Sequence, residues 1–213
     1  MKIRVTVPTP VGVSNSSEEA LGLALSWMTE LVVDPSKPGA TVEGVPEVFE
    51  RFHGATGKRV PCAGLTLGRR APFAESSSLI VGALLAADAL CETGLSRMRI
   101  LELAVSHGGR MDAAAASLYG GAVLVVARGG TPTVVPLRVP ASWKVVLRDP
   151  DDPGRADVSV GLAVAAITHE RADLLAAAFG PDSKGFVLVP ASEAERGRVV
   201  EIAPQGARVE PLT

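Results

Sequence analysis

An α+β fold is predicted for this 213-residue chain, and three observations carry the prediction. Stretches that alternate apolar and polar residues as strands do are mixed with longer apolar stretches of helical character, without strict βαβ order. Connections rich in proline, glycine and aspartate, such as "DPSKPG" from Asp34, cut the chain into short segments. Hydrophobic residues make up 47% of the sequence, enough to fill a core in one medium domain or two small, closely packed ones.

Taken in order, Ile3, Val5 and Val7 alternate with polar residues as a half-buried strand does, and Pro8 and Pro10 are expected to end it. Leu21 to Val33 is apolar, ends in β-branched residues and contains a second strand. "PEVFERFHG" is a short amphipathic helix started by Pro46 and stopped by Gly54. "RVPCAGLTL", Arg59 to Leu67, reads as another strand. Ser77 to Leu90 is apolar almost all round, which predicts a buried helix. Leu95 to Gly109 is the next helix, with Ser96 as its N-cap and Gly108 and Gly109 as stop signals. "DAAAASLYGG" gives a short helix, followed by strands at Ala122 to Ala127, Pro132 to Val139 and Trp143 to Asp149. Val158 to Thr168 and Ala172 to Phe179 read as helices, and "GFVLVP", "GRVVEIAP" and "ARVEPL" as three late strands with a short helix or turn at "SEAER".

Composition narrows the function. Lys and Arg number 21 against 23 Asp and Glu, a net charge of -2 without a basic tract, so nucleic acid is not an expected partner. The longest apolar stretches, Leu79 to Leu90 and Ala113 to Ala127, are too short or too broken by Asp88, Gly120 and Gly121 to span a bilayer, so no membrane is expected. "MKIRVTVPTP" goes straight into strand pattern without the features of a signal peptide, and a cytoplasmic location is expected. Cys62 and Cys91 have no CxxC spacing and no Cys/His cluster around them; they read as buried free thiols, and no metal site is expected. "DPDDPG" from Asp149 reads as a solvated turn, since nothing near it supplies further cation ligands. His53, His107 and His169 lie by no serine or cysteine nucleophile motif, which removes a hydrolase reading.

The stretch "APFAESSSLIVGALLAADAL", Ala71 to Leu90, is a loop feeding the start of a long apolar helix, a place suited to holding a phosphate. "VTVPTPVGVSNSSEEALGLAL", Val5 to Leu25, is similar to the opening of homoserine kinases in the GHMP kinase superfamily, which run from a strand into a proline, then NLGPGFD, then LGLAL. "SSLIVGALLAADAL", Ser77 to Leu90, resembles the helix after that family's phosphate loop, PxxxGLGSSAA. "GLSRMRILELAVSHGGRMDAAAASLYGGAVLV", Gly94 to Val125, resembles the helix, EGHPDN segment and LxGG turn that come next. The resemblance implies the two-layer family fold. Residues 1–140 would form an N-terminal domain of the ribosomal-protein type with the nucleotide cleft, and residues 141–213 a reduced ferredoxin-like C-terminal domain. It also implies a homodimer.

The departures from the family fall on its chemistry, which needs a loop open to phosphates, a divalent metal and a positioned acceptor. The GLGSS positions read Pro72, Phe73, Ala74, Glu75 and Ser76: proline deletes an N–H donor, and side chains obstruct conformations that glycine permits. Glu75 sets a carboxylate where a phosphate would meet the helix N-terminus, and can interact with the positive end of its own helix. The family's metal-binding glutamate falls on Gly108, and only Asp112 persists in that motif, with Arg110, Met111 and Ala113 replacing the histidine, proline and asparagine. In the first motif the family's asparagine, glycines and substrate-contacting aspartate become Val13, Asn15, Ser17 and Glu19. Glu19 keeps a carboxylate near the acceptor site, with a solvated acid in the first turn of a helix as the plainer reading. The late SGxGP loop reads "GPDSKG" from Gly180.

These departures point to a homoserine kinase relative that has lost ATP-dependent transfer and binds a small molecule or a protein. Asp112 and Glu19 are its remnant catalytic candidates, and Glu75, Ser76 and Ser77 its remnant phosphate loop. The alternative is an active homoserine-type kinase with a divergent site, using ATP and magnesium.

Overall fold

Two long strands organise the fold of the computed structural model, which describes residues 1–14, 19–37, 41–69, 76–127, 132–148, 159–179, 185–194 and 198–212. β1 (Lys2–Ser14) and β2 (Glu19–Asp34) pair antiparallel from Ile3↔Val33 to Ser14↔Ala20. β3 (Gly64–Arg69) and β4 (Ala122–Val126) add to β2, β5 (Thr133–Leu137) to β4, and the last strand, β9 (Arg208–Leu212), to β1. A second sheet has the order β7-β6-β8, built from β6 (Trp143–Leu147), β7 (Phe186–Pro190) and β8 (Arg198–Val200). Helices α1 (Val45–Thr56), α2 (Ser76–Cys91), α3 (Arg97–Ser106) and α4 (Met111–Tyr119) belong with the first sheet, and α5 (Val160–His169) and α6 (Ala172–Phe179) with the second. Strands and helices are mixed as an α+β fold requires.

The register of β1 against β2 slips at one point, where Pro8 faces Met28 but Thr9 faces Leu25, leaving Ser26 and Trp27 as extra residues. Such a bulge re-aims the side chains beyond it. Ile3, Val5, Val7, Leu31 and Val33 enter one core with α1 to α4, whereas Val11, Val13, Leu21, Leu23 and Leu25 enter a second core with α5, α6 and the small sheet. All ten residues have odd numbers, so unbroken alternation would have put them on one face. The bulge also explains why β1 does not stop at Pro8 and Pro10 as expected: it runs on to Ser14, and Pro8 stands where the ladder is already interrupted. Trp27, one of the extra residues, lies under the Arg198 guanidinium at 4.3 Å from the ring centre, which links the bulge to β8.

The local signals for helices hold in most places. α2 is buried as its composition predicts, with Leu84 wholly inaccessible. Its Asp88 accepts hydrogen bonds from the Thr93 hydroxyl (2.6 Å) and the Leu95 N–H (2.8 Å), fixing the turn into α3. Ser96 caps α3 by accepting from the Arg99 N–H. α1 contains Pro46 at its start, but passes through Gly54 and ends at Gly57, whose φ of 71° is the left-handed conformation that stops a helix. An interior glycine only weakens a helix. β3 begins at Gly64 rather than Arg59, since the ladder with β2 starts at Gly64↔Asp34. Cys62 precedes that ladder and is exposed, and Cys91 at the end of α2 is half-buried, so both are free thiols but neither is buried. Burial of part of its surface pushes the Cys91 thiol above its ordinary value.

The chain returns to the first sheet through residues 201–207. Ile202 bridges Leu25, the Ala203 N–H donates to Ala24 O (2.8 Å), and the Gly121 N–H donates to Ala203 O (2.7 Å). Gly206 and Gly120 allow this segment to cross the end of α4 backbone to backbone: a side chain on Gly206 would overlap Leu118 O. Among the described residues no helix is long and apolar enough to cross a membrane.

Candidate functional site

The end of β1, the first turn of α2 and the first turn of α4 meet at one corner. α4 approaches the sheet over two glycines, Gly12 of β1 and Gly22 of β2, which stand opposite each other in the ladder. A Cβ on Gly12 would overlap the Asp112 carboxylate, and one on Gly22 would overlap the Asp112 carbonyl oxygen. Absence of side chains here lets Asp112 sit directly over the strand backbone, where it is 2% exposed.

A buried carboxylate needs a compensating charge. Arg110 supplies it from the residue just before α4: Nη2 donates to Asp112 Oδ2 (2.6 Å) and Nε to Oδ1 (3.3 Å). The same Nη2 also reaches Gly12 O of β1 (3.3 Å), and the Arg110 main-chain N–H donates to the Ser77 hydroxyl of α2 (3.1 Å). Both carboxylate oxygens are thus engaged by one guanidinium, the strong two-point form of a charge-assisted pair. A cation brought to Asp112 would have to share the carboxylate with that guanidinium.

The residues expected from the sequence are only partly brought together. Ser77 and Asp112 share the corner, joined through Arg110. Ser76 is exposed as the first residue of α2. Glu19 is not an acid in a helical first turn: it is half-buried and opens β2 opposite Val126. Strand alternation sets it with Leu21 and Leu23, on the face opposite Gly22 and Asp112. Glu75 and the remainder of the phosphate loop, 72–75, lie outside the described residues, as do Asn15, Ser17, "DPDDPG" from 149 and most of the late loop from 180. Arg110 as a partner, and Gly12 and Gly22 as its platform, are what sequence reasoning missed. An arginine two residues before a helical aspartate was the available signal, but only the fold shows that the aspartate is buried.

Gly108 has a conformational reason of its own. Its φ is +97°, and the Gly108 and Gly109 N–H groups close α3 on Val105 O and Ala104 O. This position serves as a left-handed helix stop and offers no ligand. Among the described residues of the corner, none is left open to a divalent cation: Gly108 has no side chain, the Asp112 oxygens are held by Arg110, and Ser77 Oγ already accepts an N–H. Among the described residues no three His, Cys, Asp or Glu side chains are grouped to hold a metal.

Residues 50–121 match the GHMP kinases N terminal domain family. The homoserine kinase of Synechocystis sp. is 28% identical over an alignment covering 94% of this chain and 71% of that protein. Residues 50–121 belong to the GHMP kinases N terminal domain family, and over most of its length the chain is similar to homoserine kinases. Solved structures of the GHMP kinase superfamily superpose over nearly the whole chain. One assigned as a homoserine kinase from Listeria monocytogenes has a TM-score of 0.68 at 16% identity, covering 99% of this chain and 100% of that one. A D-glycero-D-manno-heptose 1-phosphate kinase from Bacteroides thetaiotaomicron has a TM-score of 0.70 at 15% identity, covering 99% of each. At such identities the structures establish the GHMP fold and leave the chemistry to the residues of the site.

A separate cleft of about 200 Å³ opens between Thr6, Ser26 and Met28 of the long strands and residues 201–208. Ser26, Gln205 and Arg208 give it polar lining, and Ile202 and Pro204 give it apolar lining.

Proposed function

We propose that this GHMP superfamily member has lost ATP-dependent phosphoryl transfer and works by binding, with a small molecule as its ligand. The observation that carries the loss is the Arg110–Asp112 pair: the one acidic residue kept from the family's EGHPDN segment is buried and held at both oxygens. The proline and side chains at 72–75 and the helix stop at Gly108 act in the same direction. These changes touch phosphate binding, metal binding and acceptor positioning, which serve a single transition state. The cleft beside Ser26 and Arg208, about 200 Å³, offers a place for a small ligand apart from the Asp112 corner. A cytoplasmic location and a homodimer belong to the same proposal.

Purified protein given ATP, magnesium and homoserine is expected to form no phosphorylated product above background. Nucleotide is also expected to leave the melting temperature unchanged, whereas a ligand at a hundred times its dissociation constant adds about 2.7 kcal/mol. Magnesium-dependent phosphorylation of homoserine, abolished by Asp112→Ala, would overturn the proposal in favour of an active kinase with a divergent site.

A further inference from the structure

The Arg110–Asp112 pair joins more than two side chains. Through one residue, β1 is held at Gly12 O, α2 at the Ser77 hydroxyl and α4 at both Asp112 oxygens. We infer that Arg110 is a built-in counter-cation: its guanidinium supplies inside the chain the positive charge that the buried Asp112 requires, and the corner is complete without a divalent metal. The guanidinium suits this task because it is always charged and its planar fork fits a carboxylate at two points. Its side chain stays 35% exposed while the side chain of Asp112 is 3% exposed, so the charge that is costly to bury is the one that receives the partner. Gly12 is part of the arrangement, since any side chain there would displace the carboxylate from the guanidinium. The inference rests on the reading that no metal works at Asp112, but its test makes no use of phosphoryl transfer, so the two can fail separately.

The test is a set of thermal melts on the full chain, each in magnesium chloride and in potassium chloride of equal ionic strength. Wild type is expected to melt at one temperature in both salts. Arg110→Ala should lower the melting temperature by on the order of 10 °C, with part of that loss recovered in magnesium because the carboxylate is now open. Adding Asp112→Asn to Arg110→Ala should remove both the magnesium response and much of the loss. Arg110→Lys, which keeps the charge and forfeits the fork, should fall between wild type and Arg110→Ala, and it carries the salt comparison if the alanine variant does not fold. Two results would overturn the inference. One is a saturable rise of the wild-type melting temperature in magnesium that Asp112→Asn abolishes. The other is an equal loss from Arg110→Ala whether residue 112 is aspartate or asparagine, which would make Arg110 a packing residue.

Discussion

The two halves of the β1–β2 pair, on either side of the bulge at Pro8, meet their helices by opposite means. In the outer half, Val5, Val7, Leu31 and Val33 stand between the strands and the helices of the first core, which include α2. In the inner half, Gly12 and Gly22 present bare backbone, and α4 lies on it so closely that Asp112 fills the space of the missing side chains. The first contact is made of hydrocarbon and tolerates sequence change of conserved volume. The second brings a charged group within reach of strand carbonyls and of α2, which makes it the chemical corner. Helix–sheet distance, set by residue size, decides which half can hold polar machinery.

This difference predicts that the outer half breaks when atoms are removed and the inner half when they are added. The largest effect is expected for Leu84→Ala, which empties a wholly buried site on α2 and should cost roughly 2–5 kcal/mol in urea unfolding. A loss below about half a kcal/mol, well under that range, would show that α2 is not packed as described.

Gly22→Ala should come next, at about 3 kcal/mol, because its methyl group would meet the Asp112 carbonyl and push α4 off the sheet. Gly82→Ala on α2 is the matched control. Its methyl group would lie 3.2 Å from Val7 Cγ2, a side-chain atom, and the alanine is the better helix former by about 1 kcal/mol. The two effects offset, so a change within about 1 kcal/mol is expected. Equal costs for Gly22→Ala and Gly82→Ala would erase the distinction between the halves.

The smallest effect belongs to the solvated end of the outer half. Asp34 accepts from the Ser36 hydroxyl (2.6 Å) and N–H (3.0 Å), with Lys2 Nζ at 3.8 Å. The Ser36 hydroxyl, first among these, holds its carboxyl below the ordinary aspartate value. A folded value below the unfolded one of about 3.9 contributes stability at higher pH, and that contribution disappears as pH falls through the folded value. Asp34→Asn should therefore flatten the acid side of the urea-midpoint profile and leave the shape of the neutral region unchanged. An effect confined to neutral pH would mean that Asp34 acts by some other route.

Much of the fold was legible because its signals are local. Ser96 and the glycine pair at 108 and 109 bound α3, the unbroken apolar run from Leu79 to Ala87 marks α2 as buried, and the family motifs occur in order along the chain. The site was legible only as a set of substitutions. Arg110 read as the loss of a histidine, and nothing near it in sequence indicated that it holds a buried aspartate over Gly12, 98 residues away.

The sequence by itself determined the buried α2, the cap and stop of α3, and the replacement of the phosphate-loop and metal-binding residues, all of which depend on residues close together in the chain. Tertiary structure alone decided which core each half of β1 and β2 would enter, the return of β9 to β1, the exposure of Cys62, and the partner of Asp112. The physical reason is that alternation gives faces only within an unbroken ladder. The ladder breaks where Ser26 and Trp27 are inserted, and the odd-numbered residues of both strands enter one core before the break and the other after it; the place of that break is set by how the two strands pair and not by any local signal in either.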